Sequence, residues 1–298
     1  MKNILLTGAT GYIGSHVLEM LLEHETYSVS IIVRPTSDLK YINHFKNRIN
    51  IYEYTGFDSL NNIFQIGGFD LVIHLAGYVG SGMSYEEVDK NIKGNLLLAS
   101  HLLEAMRLNG VSKIINTGSY WEFGDLNRKV PKTIYAIYKT SVRNIIAQYV
   151  ESYSFKVINL ILYDVYGEDD DRRKIIPILL GLKEDESISM TPGFQKLNFV
   201  HIQDVVEGYK ISLNALIENC KIYINKTYHL CGDEFITLRD LVKKIESASQ
   251  RKLNVDWGAK GYNIFQIMQP SLKGSRLPDW KPNITIDQGL NYFVDPSE

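Results

Sequence analysis

An apolar strand that runs straight into three closely spaced glycines and then into a helical stretch opens the chain, as Asn3-Ile-Leu-Leu-Thr7 continues into Gly-Ala-Thr-Gly-Tyr-Ile-Gly14. Glycines 8, 11 and 14 allow a tight turn at the strand end. They also let a pyrophosphate approach the free amides of a helix N-terminus, where the helix dipole favours an anion. Gly-rich turns also serve plain packing, but strand before and helix after predict a dinucleotide site here. Its candidate contacts are Gly8, Thr10, Gly11, Tyr12, Ile13 and Gly14, with Tyr12 and Ile13 contributing amides rather than side chains.

Beyond the turn, apolar runs alternate with amphipathic stretches, the pattern of parallel strands joined by crossover helices. Strands are expected at 3–7, 28–33, 50–54, 71–75, 113–117, 156–162 and 227–230, and helices near 14–23, 86–108, 134–152, 203–216 and 238–248. From about Tyr166 onward the order loosens, and Pro177, Pro192, Pro270, Pro278 and Pro282 break short mixed elements. The expected fold is α/β: a Rossmann-type doubly wound parallel sheet over 1–166, rejoined by 198–232, with a smaller mixed α/β C-terminal lobe from 167–197 and 233–298.

With 298 residues, 45% hydrophobic and 22% charged, the chain has the content of a soluble globular protein of two lobes, not of a membrane or disordered one. A formal charge of −2 supplies no broad basic surface, which argues against nucleic acid as a partner. Only Cys220 and Cys231 are present and no charged-then-apolar leader precedes the first strand, so the cytoplasm is the expected compartment. No metal is expected.

Arg34 ends the second strand, where an acid commonly holds the ribose 2′-hydroxyl of NAD. A guanidinium there suits a 2′-phosphate, which favours NADP(H) over NAD(H). The plainer reading is a solvated loop arginine with Asp38 nearby. Asp58 either approaches the adenine amine or caps the helix that follows. Further on, Tyr135 and Lys139 stand four apart in a helical stretch and so share a face. An ammonium beside the phenol favours its anion, which would bring a group of ordinary pKa about 10 toward neutrality.

These residues, taken in order with Val72-Ile-His-Leu-Ala-Gly77, Asn91 with Gly94, the Ser119 segment and Asn198-Phe-Val-His-Ile-Gln-Asp204, resemble the extended short-chain dehydrogenase/reductase family of nucleotide-sugar epimerases, dehydratases and reductases. The likeness covers nearly the whole chain. It implies that Leu75, Ala76 and Gly77 wall the cofactor site, and that Ser119, five residues before Gly124, joins Tyr135 and Lys139 as the third catalytic residue. Tyr135 would protonate an alkoxide formed by hydride transfer, Ser119 would hydrogen-bond its oxygen, and Lys139 would bind the nicotinamide ribose. His74 is taken as a packed strand-end residue and Tyr138 as structural.

Dehydratases of the family follow the catalytic Thr with Asp and Glu, but Tyr120 and Trp121 stand here. Both cysteines lie beyond residue 219, which argues against a reductase that also epimerises at C3 and C5. The segment Gly118-Ser-Tyr-Trp-Glu-Phe resembles the short Trp-containing loop of the CDP-3,6-dideoxyhexose synthases of abequose and paratose type, and the likeness continues in 162–174, 191–197 and 276–282. It implies NADPH-dependent reduction of the C4 keto group of a nucleotide-linked deoxysugar in surface-polysaccharide synthesis. A 4-epimerase with tightly held NAD is the enzymatic alternative, and a non-catalytic NADP(H) sensor a remoter one.

A diphosphate substrate calls for cations, for which Arg172, Arg173, Lys174, Lys196 and Arg276 are available. Arg172 and Lys174 are favoured, with Gln195 and Arg276 in the other matched segments; Leu197 stands where many family members carry Arg. Tyr120 and Trp121 are candidate walls of the sugar pocket. Asp164 falls where the family often has Asn near the substrate. Long apolar faces on 86–108 and 134–152 imply, by the same likeness, a homodimer joined through a four-helix bundle.

Overall fold

The computed structural model describes residues 1–80, 82, 84–126, 130–272 and 274–294. In chain order come β1 (Lys2–Thr7), α1 (Tyr12–Leu22), β2 (Tyr27–Val33), β3 (Asn50–Glu53), α2 (Phe57–Gly67), β4 (Leu71–His74), α3 (Tyr85–Asn91), a π-helical turn (Ile92–Leu97), α4 (Leu98–Leu108) and β5 (Lys113–Ser119). After a 3-10 turn (Tyr120–Phe123) follow α5 (Ile134–Tyr153), β6 (Lys156–Leu162), β7 (Asp164–Tyr166), α6 (Ile175–Leu180), β8 (Ser187–Met190), β9 (Lys196–Leu197), β10 (Phe199–His201) and α7 (Ile202–Ile217). The chain closes with β11 (Lys226–Leu230), β12 (Ile236–Thr237), α8 (Leu238–Ser249), β13 (Asn254–Trp257), β14 (Ser275–Arg276) and α9 (Ile286–Val294).

Eight strands form one parallel sheet in the order β14-β11-β6-β5-β4-β1-β2-β3. Its central strands carry apolar residues toward both faces, as at 71–73 in β4 and 160–162 in β6, because both faces are covered. On one face Leu18, Leu21, Val205 and Tyr209 of α1 and α7 pack over Ile4, Leu6, Ile31 and Ile158. Leu60, Phe64, Leu102, Met106 and Ile146 of α2, α4 and α5 cover Leu5, Val72, Ile114 and Val157 on the other. The doubly wound sheet therefore stands as expected, with an addition: β14 joins its edge beside β11, and Leu277 and Trp280 enter the first of these cores. The smaller lobe has its own core, in which Leu179, Met190, Leu241, Ile245 and Leu290 meet.

Strand order reverses between β1 and β4, where Thr7 lies opposite His74. Successive connections leave the sheet in opposite directions there and open a crevice at the strands' carboxyl ends. The stretch expected as one helix over 86–108 is instead interrupted by the π-helical turn, a local widening often found at functional sites. From it the buried Asn95 grips the loop after β4, accepting from the Tyr78 amide (3.2 Å) and donating to the Tyr78 carbonyl (2.9 Å).

Two buried polar residues of the segment 198–204 fasten the smaller lobe. Asn198 donates to the carbonyls of Gly232 (2.9 Å) and Glu234 (2.8 Å) and accepts from the Gly232 amide (2.8 Å). Asp204 accepts from the amides of Asn283 (2.9 Å) and Ile284 (3.1 Å), while the Trp280 indole donates to its carbonyl (2.7 Å). Removing the Asn198 amide strands three backbone groups at once. Asn198→Ala is expected to cost about 3 kcal/mol, at roughly 1 kcal/mol or more per unpaired buried group, and to lower Tm by several degrees. Thermal unfolding checks this, and an unchanged Tm would show that the clamp carries no such weight.

Candidate active site

Two clefts meet at the glycine turn. The first, of about 500 Å³, is lined by Gly8, Gly11, Tyr12, Ile13, Gly14, Leu75 and Gly77 and runs past Ser119, Tyr120, Trp121, Tyr135 and Lys139 to Asp164, Arg172 and Lys174. The second, of about 420 Å³, shares Gly8, Gly11, Leu75 and Gly77 and runs past Thr10 and Ala76 to Arg34, Ser37 and Asp38. The joined grooves thus take in most of the candidate residues. Asp58, Gln195 and Arg276 line neither. Asp58 is exposed in the first turn of α2, whose N-cap is Gly56, so it is not the cap. Gln195 is buried against Thr191, and Arg276 is paired with Asp233 at 2.9 Å.

The turn fits a dinucleotide by its shape. At Gly8, which has φ +78°, an added Cβ would meet the Ala76 nitrogen at 2.6 Å, and at Gly14 one would collide with the Gly8 carbonyl. At Gly11, the N-cap of the eleven-residue α1, a Cβ would find only the Gly8 carbonyl oxygen, at 3.5 Å. Gly8 and Gly14 serve close packing, whereas Gly11 leaves free the approach to the helix amides that a pyrophosphate would use. Arg34 follows β2 in the second cleft and, among the described residues, is held by no ion pair.

Tyr135, Lys139 and Ser119 come from α5 and the end of β5. Thr133 caps α5 by accepting from the Ala136 amide (3.2 Å), which sets the phase of the helix one turn ahead of Lys139. The buried Lys139 ammonium donates to the Thr117 carbonyl at 3.1 Å. Burial pushes Tyr135 up to about 12, opposed by a hydrogen bond with Ser119 and reinforced by the charge of Glu122. The lowering expected from Lys139 is not among the influences on this phenol; desolvation sets it, and the group that lowers it is Ser119. At neutral pH the phenol is protonated, the state that can give a proton to an alkoxide. Burial lowers Lys139, and Glu122 raises it.

His74 closes the inner edge of the groove, 3% exposed. The Thr7 hydroxyl accepts from the Ala76 amide (3.1 Å) and shares a second hydrogen bond with His74 Nδ1 (2.8 Å).

At the far end, Asp164 accepts from the Tyr120 phenol at 3.2 Å; burial raises its carboxyl while Lys174, Tyr120 and Arg172 lower it. Tyr120 stacks on Tyr163 with ring centres 4.9 Å apart. The Arg172 guanidinium is already engaged, donating twice to Asp170 (2.6 and 2.7 Å) and once to the Val165 carbonyl (2.9 Å), and it lies 4.5 Å over the Tyr12 ring. Lys174 lines the groove and forms no ion pair among the described residues. Missed in the sequence was Glu122, a buried carboxylate beneath Ser119; a Glu three residues after a Ser is the capping-box signal that points to it.

An α/β enzyme groove with a Tyr-Lys helix, a serine and a dinucleotide turn defines the class, and the chain belongs to the NAD dependent epimerase/dehydratase family, whose profile matches residues 4–223. A CDP-abequose synthase of Yersinia pseudotuberculosis is 32% identical, covering 91% of this chain and 92% of the relative. Another, of Salmonella muenchen, is 28% identical over 100% of this chain and 98% of the relative. The fold matches a UDP-N-acetylglucosamine 4-epimerase of Methanobrevibacter ruminantium M1, with a TM-score of 0.82 and 20% identity over 98% and 97% of the two chains. A UDP-glucose 4-epimerase of Thermus thermophilus, solved with NAD, has a TM-score of 0.81 and 21% identity over 98% of each. Among the described residues no helix is long and apolar enough to cross a membrane.

The buried imidazole makes stability depend on pH. Burial and the Lys139 charge lower His74 from 6.5 to about 3, so the unfolded chain binds the proton first. Its contribution is complete above pH 6.5 and is lost as pH falls toward 3, about 2 kcal/mol of it by pH 5. Between pH 7 and 5, urea unfolding is expected to show the wild type losing more than His74→Asn by about that amount, the other lowered histidines, His101 and His201, contributing alike to both. Parallel losses in both would refute it.

Proposed function

We propose that this chain reduces the C4 keto group of a nucleotide-linked 4-keto-deoxysugar with NADPH. The observation that carries the reading is the convergence of Tyr135, Lys139 and Ser119 on the groove that the glycine turn opens, with Asp164 and Lys174 at its far end. The two abequose synthase relatives support the substrate class.

A nicotinamide bound along the groove would supply the hydride. The turn at Gly11 and the first amides of α1 would take the pyrophosphate, and Arg34 the 2′-phosphate. Ser119 would fix the keto oxygen, and Tyr135, held protonated, would release its proton as the oxygen gains charge. Lys139 would orient the ribose and compensate the tyrosinate left behind. Lys174 would meet the substrate diphosphate, while Tyr120 and Trp121 wall the sugar.

Asp38 lines the same cleft as Arg34 and favours a second reading, since an acid there suits the ribose hydroxyls of NAD and a 4-epimerase that retains it. Absorbance at 340 nm separates the two. Consumption of NADPH with one of a set of CDP-, dTDP- and GDP-linked 4-keto-6-deoxysugars is expected; no consumption, with NAD retained through purification, would favour the epimerase. Tyr135→Phe is expected to lower kcat by about 10²- to 10⁴-fold while still binding NADPH. Arg34→Ala should lower kcat/KM for NADPH about 10- to 100-fold and leave NADH little changed, as expected for loss of a charged hydrogen bond. Equal effects on both cofactors would overturn the 2′-phosphate assignment.

The reading extends to a cytoplasmic homodimer in polysaccharide synthesis. Ile92, Leu97 and Ile137 lie exposed on the π-helical turn and α5, which pack side by side, an apolar face that a second copy would cover. Light scattering is expected to report a dimer, and Ile137→Glu to shift it toward monomer; a monomeric wild type would refute the pairing.

A further inference from the structure

Glu122 is a deeply buried charge beside the groove, its side chain 1% exposed, and the mechanism above makes no use of it. It sits in the 3-10 turn that carries the chain away from Ser119. Its Oε1 accepts from the Ser119 amide at 2.9 Å, and its Oε2 accepts from Arg143 Nε at 3.1 Å. Arg143 is eight residues past Tyr135 and four past Lys139, so the three share one face of α5. The Arg143 guanidinium also lies 5.2 Å from the centre of the Phe123 ring, within the same turn. The backbone makes room for the carboxylate: a Cβ at Gly118 would meet Glu122 Oε1 at 2.5 Å.

A capping box alone would be served by glutamine, whose amide oxygen accepts the same N–H without the cost of burying a charge. The charge therefore calls for a further account. We propose that Glu122, held by Arg143, is a positioning residue that bolts the Ser119 turn to the Tyr135 and Lys139 face of α5. The proposal rests on the reductase reading for its effect on turnover, but not for its effect on the free protein. Electrostatics points the same way, since Glu122 raises both Tyr135 and Lys139. Its charge adds to the burial that keeps the phenol protonated and opposes the burial that lowers the lysine, favouring the pair of states from which Tyr135 gives its proton and Lys139 compensates the anion. Among the described residues, the other charged or titratable groups around this face include Arg143 on α5, His74 at the end of β4, and Tyr12, Tyr120, Tyr163, Asp164, Arg172 and Lys174 along the groove.

Glu122→Gln keeps the acceptor for Ser119 and removes only the charge. In the free protein, the tyrosinate absorbance that disappears in Tyr135→Phe is expected to titrate at lower pH in Glu122→Gln than in the wild type. In turnover, kcat is expected to fall about tenfold with KM within about twofold, and the alkaline limb of kcat/KM to move to lower pH. Arg143→Met should be worse than Glu122→Gln/Arg143→Met, which leaves no unpaired charge, and Arg143→Lys should recover part of kcat. A Glu122→Gln protein with the wild-type tyrosinate titration overturns the proposal, whatever its Tm. If the wild type reduces none of the 4-keto sugars, the reductase reading fails, and the titration alone still decides the role of Glu122.

Discussion

The groove is centred on Thr7. At the carboxyl ends of β1 and β4 the chain leaves the sheet in opposite directions, and the Leu75 amide carries the ladder one step further by donating to the Thr7 carbonyl at 3.2 Å. The Thr7 side chain adds two more ties, accepting from the Ala76 amide and sharing a hydrogen bond with the His74 ring. That places the glycine turn against the 75–77 loop at a distance only a residue without Cβ tolerates, as the contact of Gly8 with Ala76 shows. The loop is gripped from the other side by Asn95. Both clefts therefore share a rigid centre, and a ligand spanning them meets backbone already in place.

Much of this was legible in the sequence because it follows from backbone needs. Runs such as 71–73 and 160–162 are apolar on both faces, which a parallel strand between two helical layers requires, and α5 matches its expectation to within a residue. Strand β14 left no trace, since two residues, Ser275 and Arg276, make no pattern and enter the sheet only because the 277–280 segment docks Leu277 and Trp280 in the core beneath. The π-helical turn was equally hidden: its residues keep helical apolar spacing, and the widening answers to the fit of Asn91 and Asn95 around Tyr78 and Gly80.

Charge pairing was the least legible layer. Glu168 to Asp171, four acids in a row, have the pattern of a solvated run, yet the fold engages most of them. Glu168 reaches the buried His201 at 3.2 Å, Asp170 holds Arg172, and Asp171 receives Lys40 and Tyr41 from the dinucleotide lobe. The Tyr12 phenol donates to the Glu168 carbonyl at 2.9 Å. Through these contacts a loop leading to the smaller lobe is seated on the first turn of α1. Arg172, read as a phosphate ligand from its type and place, is a strut of that seat, and sequence gives no means to know which of two adjacent arginines a neighbouring aspartate will take.

Under the proposed function, anion recognition by a chain of net charge −2 would be local, at the far end of the groove. Asp164 lies where a diphosphate-linked sugar would pass, and an ionised carboxylate there would oppose the ligand. Two features offset that: Lys174 and Arg172 stand close enough to act on its charge, and burial with a hydrogen bond from Tyr120 ties it to the wall. With Arg172 committed to Asp170, Lys174 is the cation left to divide between Asp164 and an incoming phosphate. A flexible ammonium can shift between two anions where a bidentate guanidinium cannot.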